Sequence, residues 1–265
     1  MSKVTTLTFR EMKARREPIA ALTAYDYPTA LILDAAGIEL ILVGDSAANV
    51  VYGQATTLRI GMPEMLYHTR AVVTGVKNAL VVSDMPFLSY QISTEEAVTN
   101  AGAFMKVGAE AVKVEGGEPV FATIEHLVKL GIPVMGHLGL TPQSVHQLGG
   151  YKLQALGEAG HEKLRADAKG LEAAGCFAVV LEKVPEGIAR EVSGALKIPT
   201  IGIGAGPGCD GQILVLHDIL GIFDQKFRFA RRYAELGRTI RDAVSAYRTD
   251  VKEHRFPGPE NTYTE

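Results

Sequence analysis

A (β/α)8 barrel, with its active face at the C-terminal ends of the strands, is the fold class the sequence predicts, on three observations. The chain has 265 residues, a length that one α/β barrel fills as a single domain. Eight short apolar runs recur along it, with helix-like patterns between most of them. These runs are hydrophobic almost throughout, without polar alternation, which marks strands buried on both faces of a parallel sheet. Eight strands with intervening helices favour a closed barrel over an open sheet. Residues 1–265 are therefore read as one domain, with no linker and no internal repeat.

In order, the runs are IAALTAY (19–25), ELILVGD (39–45), ALVVSDM (79–85), AVKVEG (111–116), IPVMGH (132–137), FAVVLE (177–182), IPTIGIG (198–204) and QILVLHD (212–218). Ser93 and Glu96 have capping-box spacing before AVTNAGAFMKVG, and Gly108 stops that helix. Pro63 suits the first helical position of PEMLYHTRAVVTGVK. Further helices are expected over 158–174, ending at Gly175, and over 186–196. Only GAGPGCDG separates the seventh and eighth runs, too little for a full helix. Residues 138–157 read as a long active-face loop or lid. Residues 226–248 read as one amphipathic helix, and the polar, proline-containing tail from 254 as a surface wrap.

Composition narrows the function classes. Hydrophobic residues make up 47% and charged residues 22%, an ordinary globular balance. The net charge of −3, without long runs of one sign, argues against nucleic-acid and membrane-surface roles. Neither Cys176 nor Cys209 belongs to a CxxC pair, so zinc and redox motifs are not expected. Cys176, in AAGCFAVV, reads as a small core residue. The first 17 residues contain no apolar signal stretch, and no apolar run is long enough to span a bilayer. A cytoplasmic, reducing setting is the default expectation.

The chemistry is sought at the strand ends. Run one ends with Tyr25-Asp26, two with Asp45-Ser46, three with Asp84, and four carries Lys113 and Glu115. Run five ends with His137, six with Glu182-Lys183, seven with a glycine-rich turn and eight with His217-Asp218. Carboxylates from runs two, three, four and six would point into one mouth. Asp45, Asp84 and Glu115 together would repel one another, and a hard divalent ion such as Mg2+, which takes oxygen ligands, resolves that conflict. Plainer readings compete. Asp45 and Asp84 could be helix caps, Lys113–Glu115 a simple ion pair, His137 a hydrogen-bonded core histidine, and Glu182 a partner for Lys183. GIGAGPG (202–208) suits either a phosphate cradle or a tight turn.

LVGDS (42–46), YHTRAV (67–72), SDMPF (83–87), KVEGG (113–117), MGHLGLTPQS (135–144), LEKVP (181–185) and IGIGAGPGCDGQILVLHDILG (201–221) occur in this order. Together they resemble the ketopantoate hydroxymethyltransferase family of the phosphoenolpyruvate/pyruvate superfamily. The resemblance runs from about residue 5 to 263 and includes YAELGRTIRDAVSAY and FPGPENTY. It departs at 47–65 and at Phe87-Leu88-Ser89, where a DLPFGSY-like stretch with glycine is usual. These departures bear on pocket shape.

The resemblance implies a homo-oligomeric barrel, decameric in the family, acting in pantothenate biosynthesis on a small 2-oxo acid. The co-substrate implied is 5,10-methylenetetrahydrofolate. Asp45 and Asp84 correspond to Mg2+ ligands and Glu115 to a further metal-site residue, with Mn2+ or Co2+ as alternatives. Ser46 and Lys113 correspond to contacts with the oxo acid, beside Asp45 and Asp84, with His137 in the same pocket. Glu182 corresponds to the general base. No residues can be named for the folate. The rival enzyme reading is an isocitrate-lyase or phosphoenolpyruvate-mutase-like lyase; those families usually carry a cysteine in a mouth loop, and GLTPQSVHQLGG has none. A metal-independent phosphosugar barrel is a second rival, and a non-catalytic binding barrel a third.

Overall fold

The structure, a computed structural model, describes residues 2–265. Eight parallel strands close into a barrel in sequence order. They are β1 (Ile19–Thr23), β2 (Leu40–Val43), β3 (Leu80–Asp84), β4 (Ala111–Glu115), β5 (Val134–Gly139), β6 (Ala178–Glu182), β7 (Thr200–Ile203) and β8 (Gly211–Leu214). Closure is made by β1 against β8, with Ile19 beside Gly211. Helix α1 (Thr6–Arg15) precedes the barrel. Between strands lie α2 (Tyr27–Ala35), α3 (Ala47–Val50), α4 (Met62–Gly75), α5 (Thr94–Lys106), α6 (Phe121–Lys129), α7 (Gly157–Ala173) and α8 (Glu186–Ala195). Helices α9 (Leu216–Ile219) and α10 (Leu236–Lys252) follow the last strand.

The two-residue period of a strand explains how one barrel carries both a core and a site. Inward positions read Leu80 and Val82 and then Asp84 on β3, Ala178 and Val180 and then Glu182 on β6, and Ala111, Lys113, Glu115 on β4. The first members of each series join one buried apolar cluster with Ile19, Ala21, Leu40, Leu42, Met135, Ile201 and Ile213. Phe9 and Met12 of α1 belong to the same cluster, and the Phe9 ring meets Phe177 edge-on at 5.9 Å. The N-terminal end of the barrel is thus apolar and stoppered, and charge collects at the other end.

Contacts divide the chain into two compact units, Met1–Val215 and Leu216–Glu265, and all eight strands lie in the first. Some expectations for single elements need adjusting. The eighth strand stops at Leu214, so His217 and Asp218 lie on α9, not at a strand end. The amphipathic helix expected at 226–248 begins only at Leu236; residues 222–235 form turns and irregular backbone. Ser93 does cap α5, accepting a hydrogen bond from the Glu96 N–H at 3.1 Å. Gly108 follows that helix at φ +108, a conformation glycine takes without a Cβ penalty. Pro63 sits one residue later than expected, because α4 starts at Met62.

Candidate active site

Neighbouring strand ends bring the predicted side chains together, since the register sets Asp84 beside Lys113, Glu115 beside His137 and Gly139 beside Glu182. Lys113 Nζ lies 2.6 Å from Asp84 Oδ1 and 3.6 Å from Glu115 Oε1. His137 Nδ1 stands 3.2 Å from Lys113 Nζ and 3.3 Å from Glu115 Oε1. The other ring nitrogen, Nε2, is 3.3 Å from Glu182 Oε2. Asp84 Oδ2 accepts the Asp45 N–H at 3.0 Å. Ser46 and Tyr25 share a hydroxyl–hydroxyl hydrogen bond of 2.9 Å. A continuous arc therefore runs Asp45, Asp84, Lys113, Glu115, His137, Glu182. The first five of these are buried, and Glu182 is partly open.

Burial of so many charges decides the electrostatics. Burial, with Asp84 and Glu115 close by, pushes the Asp45 carboxyl well above its ordinary range. Asp84 is also raised by burial, with Lys113 acting against the rise. Burial would drive Lys113 toward neutrality, yet Asp84, Glu115 and Asp45 outweigh it and hold the ammonium charged. Glu115 is held low: burial opposes ionisation, but Lys113 and His137 overcome it. His137 is pulled down by burial and Lys113, but Glu115 and Glu182 raise it to about 9. A ring raised in this way carries a proton at neutral pH and faces a glutamate oxygen at 3.3 Å on either side, Glu115 at Nδ1 and Glu182 at Nε2.

The competing readings can now be weighed. Lys113 sits closer to Asp84 than to Glu115, so it is not the simple partner of its strand neighbour. Lys183 donates to the Tyr151 carbonyl at 2.9 Å. Its backbone is left-handed, at φ +44, and its carbonyl accepts from the Gln154 N–H at 2.8 Å. Both contacts tie the 138–157 segment to the end of β6. Asp26 is a helix cap, accepting from the Thr29 N–H at 2.8 Å, whereas Asp45 and Asp84 make no capping contact. GIGAGPG forms part of the turn from β7 to β8, where the Gly206 carbonyl accepts from Gln212 at 3.0 Å. Cys176 is buried, and its thiol is pushed up to about 12 by burial, as suits a core residue.

Whether these groups suit a divalent cation can be tested on the donor set. Among the described residues, no group of three or more acidic, histidine or cysteine side chains forms a ready-made cage. Mg2+ does not need one: it is held by one or two carboxylates and keeps waters or substrate oxygens. Asp84 accepts the Asp45 backbone N–H, and the charge of Asp84 is, after burial, the largest cause that raises the Asp45 carboxyl. Asp84 Oδ1 and Glu115 Oε1 accept no hydrogen bond and meet Lys113 only as ion pairs. The donors that Asp45 and Asp84 offer are all carboxylate oxygens, the kind a hard cation takes.

Sequence reading missed two side chains here. Tyr90 is fully buried, and its hydroxyl accepts the Glu115 N–H at 3.0 Å. Gln143, in the loop after β5, donates from Nε2 to Asp45 Oδ2 at 3.1 Å and from its backbone to Glu115 Oε2 at 3.0 Å. Both lie in quoted or adjoining motifs, SDMPF…SY and LTPQS, but no spacing rule links them. One departure from the family pattern has a structural consequence. Leu88 adopts φ +65, a left-handed conformation that glycine takes freely and leucine does not.

Fold and site together define a (β/α)8-barrel enzyme whose C-terminal mouth combines buried carboxylates, one lysine and an outer glutamate. Residues 3–259 match the ketopantoate hydroxymethyltransferase family. The 3-methyl-2-oxobutanoate hydroxymethyltransferase of Salinibacter ruber is 55% identical over 99% of this chain and 100% of its own length. That of Caldicellulosiruptor bescii is 53% identical over 99% of this chain and 100% of its own. Among solved structures, a 2,3-dimethylmalate lyase of the PEP mutase/isocitrate lyase superfamily superposes with a TM-score of 0.61. It is 17% identical, with 100% of this chain and 90% of that one covered. A phosphonopyruvate hydrolase in complex with oxalate and Mg2+ gives 0.60 at 13% identity, covering 98% and 93%. These distant likenesses establish the fold alone. The chain belongs to the ketopantoate hydroxymethyltransferase family. Its activity is hydroxymethyl transfer to 3-methyl-2-oxobutanoate, giving ketopantoate for pantothenate, and the lyase alternative gives way to it. Among the described residues, no helix is long and apolar enough to cross a membrane.

Proposed function

We propose that Glu182 is the general base of ketopantoate formation, removing the proton from C3 of 3-methyl-2-oxobutanoate. The observation that carries this reading is the position of Glu182: at the end of β6, partly open, and 3.3 Å from His137 at the edge of the buried arc. The imidazolium orients the carboxylate, and the opening leaves room for a substrate C–H. Lys113 stands charged beside Asp84, where it counters negative charge developing on the keto oxygen. Ser46, held by Tyr25, is in position to contact the oxo acid's carboxylate.

Asp45 and Asp84 would hold Mg2+, with Mn2+ or Co2+ as substitutes, and Glu115 would support the site from behind. The Mg2+ of the phosphonopyruvate hydrolase complex gives this reading a precedent in the fold. When bound, the ion supplies Lewis acidity that acidifies the carbon next to the carbonyl. That help is needed, because a carboxylate with a reference pKa of about 4.3 is far too weak a base for a ketone C–H. Water would release the one-carbon unit of 5,10-methylenetetrahydrofolate at the formaldehyde level, both C–N bonds of the methylene bridge breaking and tetrahydrofolate leaving, and the C3 carbanion equivalent would add to that carbon, whose oxygen becomes the new hydroxyl. Residues 138–157, tied to Lys183, shield the mouth from solvent. The active species is a homo-oligomer, in line with the family's decamer.

The test is deuterium exchange at C3 of the oxo acid, followed by NMR, with and without Mg2+. Wild-type protein should exchange only with the metal present. Glu182→Gln should lower the rate by at least about 100-fold, the usual contribution of a general base, while still binding substrate. Undiminished exchange in that variant removes Glu182 from this role.

A further inference from the structure

One residue that bridges Asp45 and Glu115 across the carboxylate arc is neither acidic nor basic. Gln143 is 5% exposed and sits in the short helical turn Pro142–Ser144 that follows β5. Its backbone N–H and both ends of its side-chain amide are engaged. Its N–H donates to Glu115 Oε2 at 3.0 Å. Its Nε2 donates to Asp45 Oδ2 at 3.1 Å and to the Met85 carbonyl at 2.9 Å. Its Oε1 accepts from the Tyr90 hydroxyl at 2.8 Å and, more weakly, from Gln91 Nε2 at 3.4 Å. One residue therefore touches a carboxylate following β2 and another on β4, 98 and 28 positions away in sequence.

The amide can take only one orientation. Reversed, its oxygen would face two acceptors, Asp45 Oδ2 and the Met85 carbonyl, at hydrogen-bond distance. In the orientation observed, the amide oxygen faces the Tyr90 hydroxyl at 2.8 Å, a group that also lies 3.1 Å from the Glu115 carbonyl and accepts the Glu115 N–H. The Met85 carbonyl and Tyr90 together set the amide, and the amide sets Asp45. A cation held by few protein oxygens depends on carboxylates aimed in advance, and the groups that aim them contribute measurably to affinity.

We propose that Gln143, oriented by Tyr90, is a positioning residue that aims Asp45 at a divalent cation and so sets the affinity of the site. This rests on the reading of Asp45 and Asp84 as metal ligands. Neither Gln143 nor Tyr90 needs to touch the cation or the substrate.

The experiment is Mn2+ binding to the substrate-free full chain, read by the electron paramagnetic resonance signal of free Mn2+. Gln143→Met keeps the length and volume of the side chain and removes both amide functions, while the backbone N–H to Glu115 remains. Its Mn2+ dissociation constant should rise by about 10- to 100-fold. Tyr90→Phe should raise it in the same direction by about fivefold, the equivalent of one ordinary hydrogen bond. In turnover, Gln143→Met should recover kcat as Mg2+ is increased, which a general loss of packing would not allow. A folded Gln143→Met protein with the wild-type Mn2+ constant overturns the proposal, even if its Tm is lower. Should Gln143→Met not fold, an unchanged constant in Tyr90→Phe overturns it equally. Absence of Mn2+ binding by the wild-type chain is a different result: it removes the metal reading itself, and the role of Gln143 with it.

Discussion

Asp34 illustrates how much one buried carboxylate can organise away from the site. It lies on α2 and accepts from the N–H groups of Lys77, Asn78 and Ala79 at 3.1, 2.8 and 2.7 Å, and from Asn78 Nδ2 at 3.0 Å. These donors precede β3 and fix where that strand, which carries Asp84, enters the barrel. Burial alone would raise the Asp34 pKa, but the four donors outweigh it and hold the carboxyl below its ordinary range. A folded-state pKa below the unfolded value of about 3.9 gives stability that is complete above that pH and is lost as pH falls through the lower, folded value. Asp34→Ala should cost about 3 kcal/mol, because it leaves several N–H donors without an acceptor. Urea midpoints measured from pH 6 down to pH 2 should show the gap between wild type and variant narrowing at the acid end. A gap independent of pH would mean that the charge of Asp34 contributes nothing.

Two adjoining elements, β5 and β6, meet so closely at their C-terminal ends that the position of Glu182, the proposed base, depends on a glycine. Gly139 has φ +90, and a Cβ built there would lie 2.2 Å from the Glu182 carbonyl oxygen and 2.6 Å from Val184 Cγ1. The Leu140 N–H donates to the same carbonyl at 2.8 Å. Gly139→Ala must therefore push the end of β6 outward and carry Glu182 with it. A displacement of about 1 Å at a reacting group typically costs about 100-fold, so kcat/KM should fall by that order while the far-UV circular dichroism stays native. Full activity would mean that Glu182 is positioned independently of this contact. The same scale explains the misread end of the barrel. Residues 213–216 of QILVLHD are uniformly apolar, and composition alone could not say that the strand would stop at Leu214 and a helical turn follow.

Across the whole barrel, stability and chemistry occupy opposite ends. Phe9 and Met12 close the N-terminal end against residues drawn from all eight strands, whereas the charged arc lies at the other end. Phe9→Ala should lower unfolding free energy by about 3–5 kcal/mol, as for other fully buried aromatic truncations. Its kcat at low temperature should match the wild type, since Phe9 touches no site residue. Denaturant unfolding beside turnover at 10 °C checks both halves of this statement. A lost kcat in a protein that remains folded would show that the two ends are coupled.

Strand count, strand order and the identity of the mouth-lining residues were legible before any coordinates, because they follow from local pattern. Continuous apolar runs mark buried parallel strands, and a charged residue on the inward face at the end of such a strand points into the mouth. Asp45, Asp84, Lys113, Glu115, His137 and Glu182 were all found in this way and stand in one arc. Three things became visible only in the folded chain. Lys113 pairs with Asp84 on the next strand more closely than with Glu115 on its own, Lys183 turns to the 138–157 segment, and Gln143 bridges carboxylates far away in sequence. The reason is physical: period and composition report which face a residue takes along one strand, but pairing across strands and across a loop depends on register and distance, which exist only once the barrel has closed.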